Sequence, residues 1–206
     1  MPRQRSSDNL YLGVLARREL GRSFVRILTL TAVFVLVAAG AAAWVHEVEP
    51  DVYLRARYPL EYAHIVRGHA KNHDLDPALL AAVIYAESRF DPNAESEAGA
   101  VGLMQLLPET ARGIALRTGG TRFVVADLRD PEINVRYGAW YLDHLRDRYD
   151  GDVRLALAAY HAGQGNVDTW LAEGREIAFP ETEAYVDEVE RVRQVYAKAY
   201  PDALRR

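Results

Sequence analysis

Cysteine is absent from the 206 residues. Disulfides, thiolate nucleophiles, cysteine-ligated zinc and a lipid-modified cysteine anchor are therefore excluded. Strand signals are also scarce. Phe123-Val124-Val125 is the only β-like cluster, and it is short. There is no internal repeat, no phosphate-cradling glycine loop and no serine elbow. Excess positive charge is missing from most of the chain. Before residue 47, six arginines against Asp8 and Glu19 give +4, which leaves −8 of the total −4 for the remainder. A domain of that sign is a poor partner for nucleic acid, whose phosphates are held by Lys and Arg.

What is present begins with an apolar run. Ile27 to Val45 holds no charged residue. Nineteen residues at about 1.5 Å each reach roughly 28 Å, close to the hydrocarbon thickness of a bilayer. Arg17, Arg18, Arg22 and Arg26 precede the run, and Glu47, Glu49 and Asp51 follow it. This charge order predicts a cytoplasmic basic leader over 1–26 and a transmembrane signal-anchor over 27–45. A polar linker over 46–58 and an extracytoplasmic domain over 59–200 complete the expected layout. A cleaved signal peptide is the alternative, with Ala41-Ala42-Ala43 as an acceptable cleavage site. Either way the domain works outside the cytoplasm, in the periplasm.

Past Pro59 the pattern is helical, and the fold class is mainly α. Asp76-Pro77 is an N-cap followed by proline at the first helical position, ahead of Leu79, Leu80, Val83 and Ile84. Asp130-Pro131 repeats the device ahead of Val135, Ala139, Leu142, Leu145 and Tyr149. Val153 to Tyr160 reads as a compact helix ended by Ala162-Gly163. A last helix runs from about Thr182 to Ala199, with Tyr185, Val189, Val192 and Tyr196 on one face.

One carboxylate sits on the apolar side of this pattern. Glu87 lies four residues after Val83 and seven after Leu80, so it extends an apolar face. Burial disfavours the charged form of a carboxylate and raises its pKa, which suits a general acid. The plain alternative is a helix-end glutamate that reaches water. The segment after it, residues 91 to 105, carries Pro92, Gly99 and Gly102, and marks irregular backbone beside the acid. Ser96 and Gln105 offer hydrogen bonds suited to hydroxyl and acetamido groups.

Four groups of residues together are recognisable. The first is Glu87-Ser88-Arg89-Phe90, Ala94, Ser96, Gly99-Ala100, Gly102-Leu103-Met104-Gln105, Pro108 and Thr110-Ala111. The second is Asn134-Val135, Gly138 and Tyr141-Leu142. The third is Ala158-Ala159-Tyr160-His161-Ala162-Gly163 with Gly165, Val167 and Trp170. The fourth is Glu181-Thr182 with Tyr185-Val186. In this order, over about residues 62 to 198, they closely resemble the motifs of soluble-lytic-transglycosylase-type domains. The resemblance implies a lysozyme-like domain acting on peptidoglycan glycan strands at the β-1,4 bond between N-acetylmuramic acid and N-acetylglucosamine. It also implies a single glutamate that makes both proton transfers and leaves a 1,6-anhydromuramyl end. By position, Glu87 is the acid/base, and Ser96, Met104, Gln105, Tyr160, His161, Glu181 and Tyr185 form the groove. Tyr160 is expected to donate a hydrogen bond to Glu87 or to substrate. Core packing is the competing role for Met104 and Tyr160.

His161 departs from the family, which usually has asparagine there. Asp91, Glu95 and Glu97 lie close to Glu87 in sequence and read as solvated loop acids. A muramidase-type hydrolase using one of them is the alternative enzyme, and a non-catalytic wall-binding protein is the alternative of another class. His69 and His73 share a helix at metal-capable spacing without a third ligand, so neither metal nor cofactor is expected.

Overall fold

The computed structural model describes residues 26–41, 43–44 and 50–205. It divides into two units, Met1–Tyr53 and Leu54–Arg206. In the first, residues 26–41 and 43–44 are helical with their apolar side chains exposed, Phe34 at 73%. Among the described residues, no helix is long and apolar enough to cross a membrane. The transmembrane helix expected over 27–45 is thus not met there. The unbroken run of 16 residues reaches only about 24 Å, and positions 42 and 45 lie outside the described residues. So do residues 1–25 of the basic leader and 46–49 of the linker. The rest of that linker is mostly not extended chain: Asp51–Arg57 form helix α1, with Leu54 buried.

The second unit continues with α2 (Ala63–Asn72), α3 (Pro77–Ser88), α4 (Pro108–Thr118), a 3-10 turn (Val125–Arg129), α5 (Pro131–Arg148), α6 (Val153–Ala162), α7 (Gln164–Ala172) and α8 (Pro180–Ala199). Three of these helices start on an aspartate whose side chain accepts a backbone N–H: Asp76 from Ala78, Asp130 from Ile133 and Asp152 from Leu155. The β-like cluster at Phe123-Val124-Val125 leads into the 3-10 turn. Among the described residues the β pairing consists of isolated bridges, Glu95 with Val101 and Val101 with Leu106.

Helix α3 is the axis of the domain. Every residue from Pro77 to Tyr85 is buried, so this helix is apolar all round rather than on one face. Helix α8 packs along it through Val186, Val189, Val192 and Tyr196. The main core gathers α3, α6 and α8 with the inner side of α5. A smaller core forms under the irregular segment from Val101, Leu106, Ala111, Ile114, Leu128 and Tyr137. Tyr141 and Tyr160 pack against both cores. A seam between two packed clusters is a natural place for a cleft.

Candidate active site

Glu87 stands in the last turn of α3, where the buried helix meets that seam. The helix ends abruptly behind it. Arg89 caps at φ 53° and Phe90 follows at φ 67°, two consecutive non-glycine residues in the left-handed region. Phe90 is buried with its ring edge-on to Tyr196, 6.2 Å away, and this anchors the turn.

The irregular segment beyond is held by side chains from three helices. Asn134 of α5 is fully buried, and its amide oxygen accepts from Met104 N at 2.7 Å. Its amide nitrogen donates to Val101 O at 2.9 Å and to Leu128 O at 2.8 Å. Ser88 of α3 donates to Leu103 O at 2.8 Å, and Tyr160 of α6 donates to Met104 O at 2.7 Å. Gly102, at φ 83°, lets this backbone close on Asn134. A Cβ there would lie 2.2 Å from Leu128 O.

The result is a cavity of about 500 Å³ lined by Glu87, Ser96, Gln105, Tyr141, Tyr160 and His161, among others. Among the described residues, Glu87 is the single carboxylate on that lining. Burial pushes its pKa from 4.5 to about 7, against a smaller opposing effect of the hydrogen bond from Tyr185. That bond runs from the phenol to Oε1 at 2.7 Å. The last turn of a helix adds a further disadvantage for an anion, since the dipole is negative there.

Around this pair the aromatic groups form a stack. His161 lies over the Tyr185 ring, centroids 4.5 Å apart at 25°. Its Nδ1 is 3.2 Å from Thr182 Oγ1. Burial lowers the His161 pKa below its usual value, with Glu181 acting the other way. Tyr141 stands 5.5 Å from Tyr160, and burial raises the pKa of both phenols. They are hydrogen-bond donors, not bases, near neutral pH.

Each expected residue has a definite place. Glu87, Ser96, Gln105, Tyr160 and His161 line the cavity together. The Ser96 hydroxyl accepts from Ala100 N at 3.0 Å, and the Gln105 amide donates to Ala94 O and Gly102 O at 3.1 and 3.0 Å. Tyr185 reaches the site through Glu87. Glu181 is exposed at the start of α8. Met104 is different: its side chain is fully buried against Gly138 in the core, and its backbone is what the site uses, the N–H by Asn134 and the carbonyl by Tyr160. The phenol on Glu87 belongs to Tyr185, not Tyr160. Among the neighbouring acids, Glu95 pairs with Arg129 at 2.6 Å and Asp91 accepts from Asn93 N. Neither lines the cavity. His69 and His73 pair with separate carboxylates, Glu132 at 2.8 Å and Asp143 at 3.2 Å.

Tyr141, Thr110 and Asn134 were not singled out from sequence as site residues. Tyr141 and Thr110 line the cavity, and Asn134 holds its floor. All three fall inside the quoted motifs, which is the signal that marks them.

The family model for the transglycosylase SLT domain matches residues 64–180. The chain belongs to that family. Over 153 residues, this SLT domain chain is 32% identical to the soluble lytic murein transglycosylase of Salmonella typhimurium, covering 66% of this chain and 23% of that protein. It is 40% identical over 109 residues to the membrane-bound lytic murein transglycosylase F of Desulfosudis oleivorans, covering 50% of this chain and 22% of that protein. Among solved structures, an inactive glutamate-to-glutamine mutant of the lytic transglycosylase Slt from Pseudomonas aeruginosa matches with a TM-score of 0.66 and 34% identity, over 70% of this chain and 25% of that chain. The 70-kDa soluble lytic transglycosylase of Escherichia coli matches at 0.67 and 30%, over 71% and 25%. The fold is therefore the lysozyme-like SLT fold, and this chain spans about a quarter of the length of these relatives.

Proposed function

We propose that this protein is a peptidoglycan lytic transglycosylase with Glu87 as its one acid/base. The observation that carries the reading is a lone carboxyl in the cleft, with its pKa near 7 and a phenol on one oxygen. At that pKa the group is partly protonated at neutral pH and can serve both directions of proton transfer. Glu87 first gives its proton to the glycosidic oxygen as the C1–O bond breaks and its electron pair goes to the leaving oxygen. The C6 hydroxyl of the same muramyl residue then bonds to C1, and its proton passes to the Glu87 carboxylate. The atoms balance with no water consumed, and the product ends in a 1,6-anhydro ring.

A second carboxylate is unnecessary because the attacking hydroxyl is already tethered near C1, which gives it a high effective concentration. A hydrolase would need such a group as nucleophile or as base for water. Of the acids nearest in sequence, Glu95 is held by Arg129 and none lines the cavity. Mass spectrometry of fragments released from purified sacculi tests both points. Wild type is expected to release anhydro ends, and Glu87→Gln none. Release of ends heavier by one water, or equal release by both proteins, would sink the reading.

We further propose that the N-terminal apolar segment tethers the enzyme to the cytoplasmic membrane with the domain outside it. The uncharged stretch from Ile27 to Val45, flanked by arginines before and acids after, supports this. Alkaline carbonate washing should leave the full chain in the membrane pellet; its release into the supernatant would count against a spanning anchor.

A further inference from the structure

A second and larger cavity, about 670 Å³, opens between α2, the end of α4 and the first half of α5. Helix α5 turns Ile133, Arg136, Tyr137 and Trp140 to it, the i, i+3, i+4, i+7 stripe of one face. The next residue, Tyr141, faces the Glu87 cavity. Helix α4 likewise runs from one to the other, with Thr110 on the first lining and Thr118 on the second. Eight residues of helix separate them by about 12 Å. The two linings thus share helices α4 and α5.

The charge of this cavity runs against that of its domain. Residues 47–206 carry −8, yet the lining holds Arg122 and Arg136 with a single aspartate, Asp127. That aspartate already accepts from Val124 N at 2.9 Å. Neither arginine has an ion-pair partner among the described residues. Arg136 instead rests over the Tyr137 ring at 5.2 Å. The two histidines on the lining are tied to Glu132 and Asp143. What is left for a ligand is two unpaired guanidinium forks, the groups best matched to carboxylate geometry.

The aromatic groups point to the same class of ligand. Trp140 has one face covered by His144, centroids 5.1 Å apart at 12°. Tyr137 is buried beneath Arg136 and Phe123. Tyr137 thus serves as apolar floor with its ring already engaged, and Trp140 keeps one face towards the cavity beside the two arginines.

We infer that this cavity is a site for the carboxylates of the peptide stems on the glycan, with Arg122 and Arg136 as their ligands. The identity of the ligand's owner rests on the proposed action on peptidoglycan; the preference for a carboxylate does not. The test uses the full chain in mild detergent and a soluble stem tripeptide with free carboxylates. Its amidated form and a chito-oligosaccharide are the other arms. The Trp140 indole N–H resonance and a calorimetric titration report binding without turnover. The tripeptide is expected to shift that resonance and to bind at least tenfold more weakly to Arg122→Gln/Arg136→Gln, with the affinity falling as salt is added. The amidated peptide and the sugar should leave it in place. Equal binding by the double variant, or equal binding of the amidated peptide, would overturn the assignment. A shift caused by the sugar alone would reassign the cavity to glycan and would also overturn it. On polymer, the double variant should raise KM about tenfold on stem-bearing glycan at unchanged kcat, and change nothing on glycan stripped of its stems. Wild type that binds tripeptide yet releases no anhydro ends would refute the lytic activity and leave the carboxylate site standing.

Discussion

A carboxylate in the final turn of a buried helix has lost water and gained an unfavourable dipole, and among the described residues Glu87 has only the Tyr185 phenol to offset both. That hydrogen bond favours the charged form and holds the pKa down. Its removal should therefore raise the pKa further. In Tyr185→Phe the limb of kcat/KM that falls with rising pH should move upward from about 7, and kcat should drop because the carboxylate form, which takes the C6 proton in the proposed reaction, is disfavoured. His161 acts on the same pair through the ring of Tyr185. Replacing it with asparagine removes the stack that fixes the phenol. The same limb should move in the same direction by a smaller amount. A pH profile of each variant superimposable on wild type would show that neither ring contributes to proton transfer.

At the scale of elements, the cleft is a loop made rigid by helices on either side. The floor from Val101 to Met104 has little regular pairing of its own, so its polar backbone depends on Asn134. Asn134→Ala takes away the partner it supplies to Met104 N and Leu128 O, while Val101 O keeps the N–H of Leu106 at 3.1 Å, and each unsatisfied group costs about 1–3 kcal/mol. A loss of about 3 kcal/mol in urea unfolding is expected, with activity falling further than the folded fraction explains, because Met104 O would no longer be set for Tyr160. Asn134→Asp should be worse, since it keeps the acceptor for Met104 N and turns a carboxylate oxygen on Val101 O and Leu128 O. Wild-type stability in either variant would show that the loop carries its own order.

For the whole molecule, local chemistry was readable and distant contact was not. Asp76-Pro77 and Asp130-Pro131 announce helix starts because capping is decided within three residues. Helices α4 and α7 lack a side-chain N-cap, although Pro108 stands at the first position of α4. Gly113 interrupts one, Gly163 and Gly165 open the other, and tertiary packing supplies what propensity does not. Residues 51–57 read as a polar linker because a single buried side chain, Leu54, leaves no periodicity to detect. The position of Glu87 was legible, but for a partly different reason: its helix is buried all round, and no stripe is needed to bury its end. Its partner was not legible, because Tyr185 comes from 98 residues away and only the packing of α8 on α3 brings it there. Met104 misleads because Gln105 adopts φ 46°, so the turn sends the methionine inward while the glutamine lines the cavity.

The raised pKa of Glu87 also bears on the stability of the entire fold, and the sign is fixed by linkage. Below about pH 4.5 the carboxyl is protonated in both the folded and the unfolded chain, and its contribution is fully present. Between 4.5 and about 7 the unfolded chain ionises while the folded protein keeps its proton. Unfolding then releases a proton, so stability falls with rising pH by at most about 1.4 kcal/mol per unit. Above about 7 both states are ionised and the loss levels off. Partial exposure of the side chain screens the effect, and a total of about 2–3 kcal/mol is expected. Glu87→Gln cannot ionise and escapes this loss. The variant should match wild type in urea unfolding near pH 4 and exceed it by about 2–3 kcal/mol near pH 8, even though the proposed reaction predicts it to be inactive. A difference that stays constant from pH 4 to pH 8 would mean that the carboxyl is as well solvated in the cleft as in the unfolded chain.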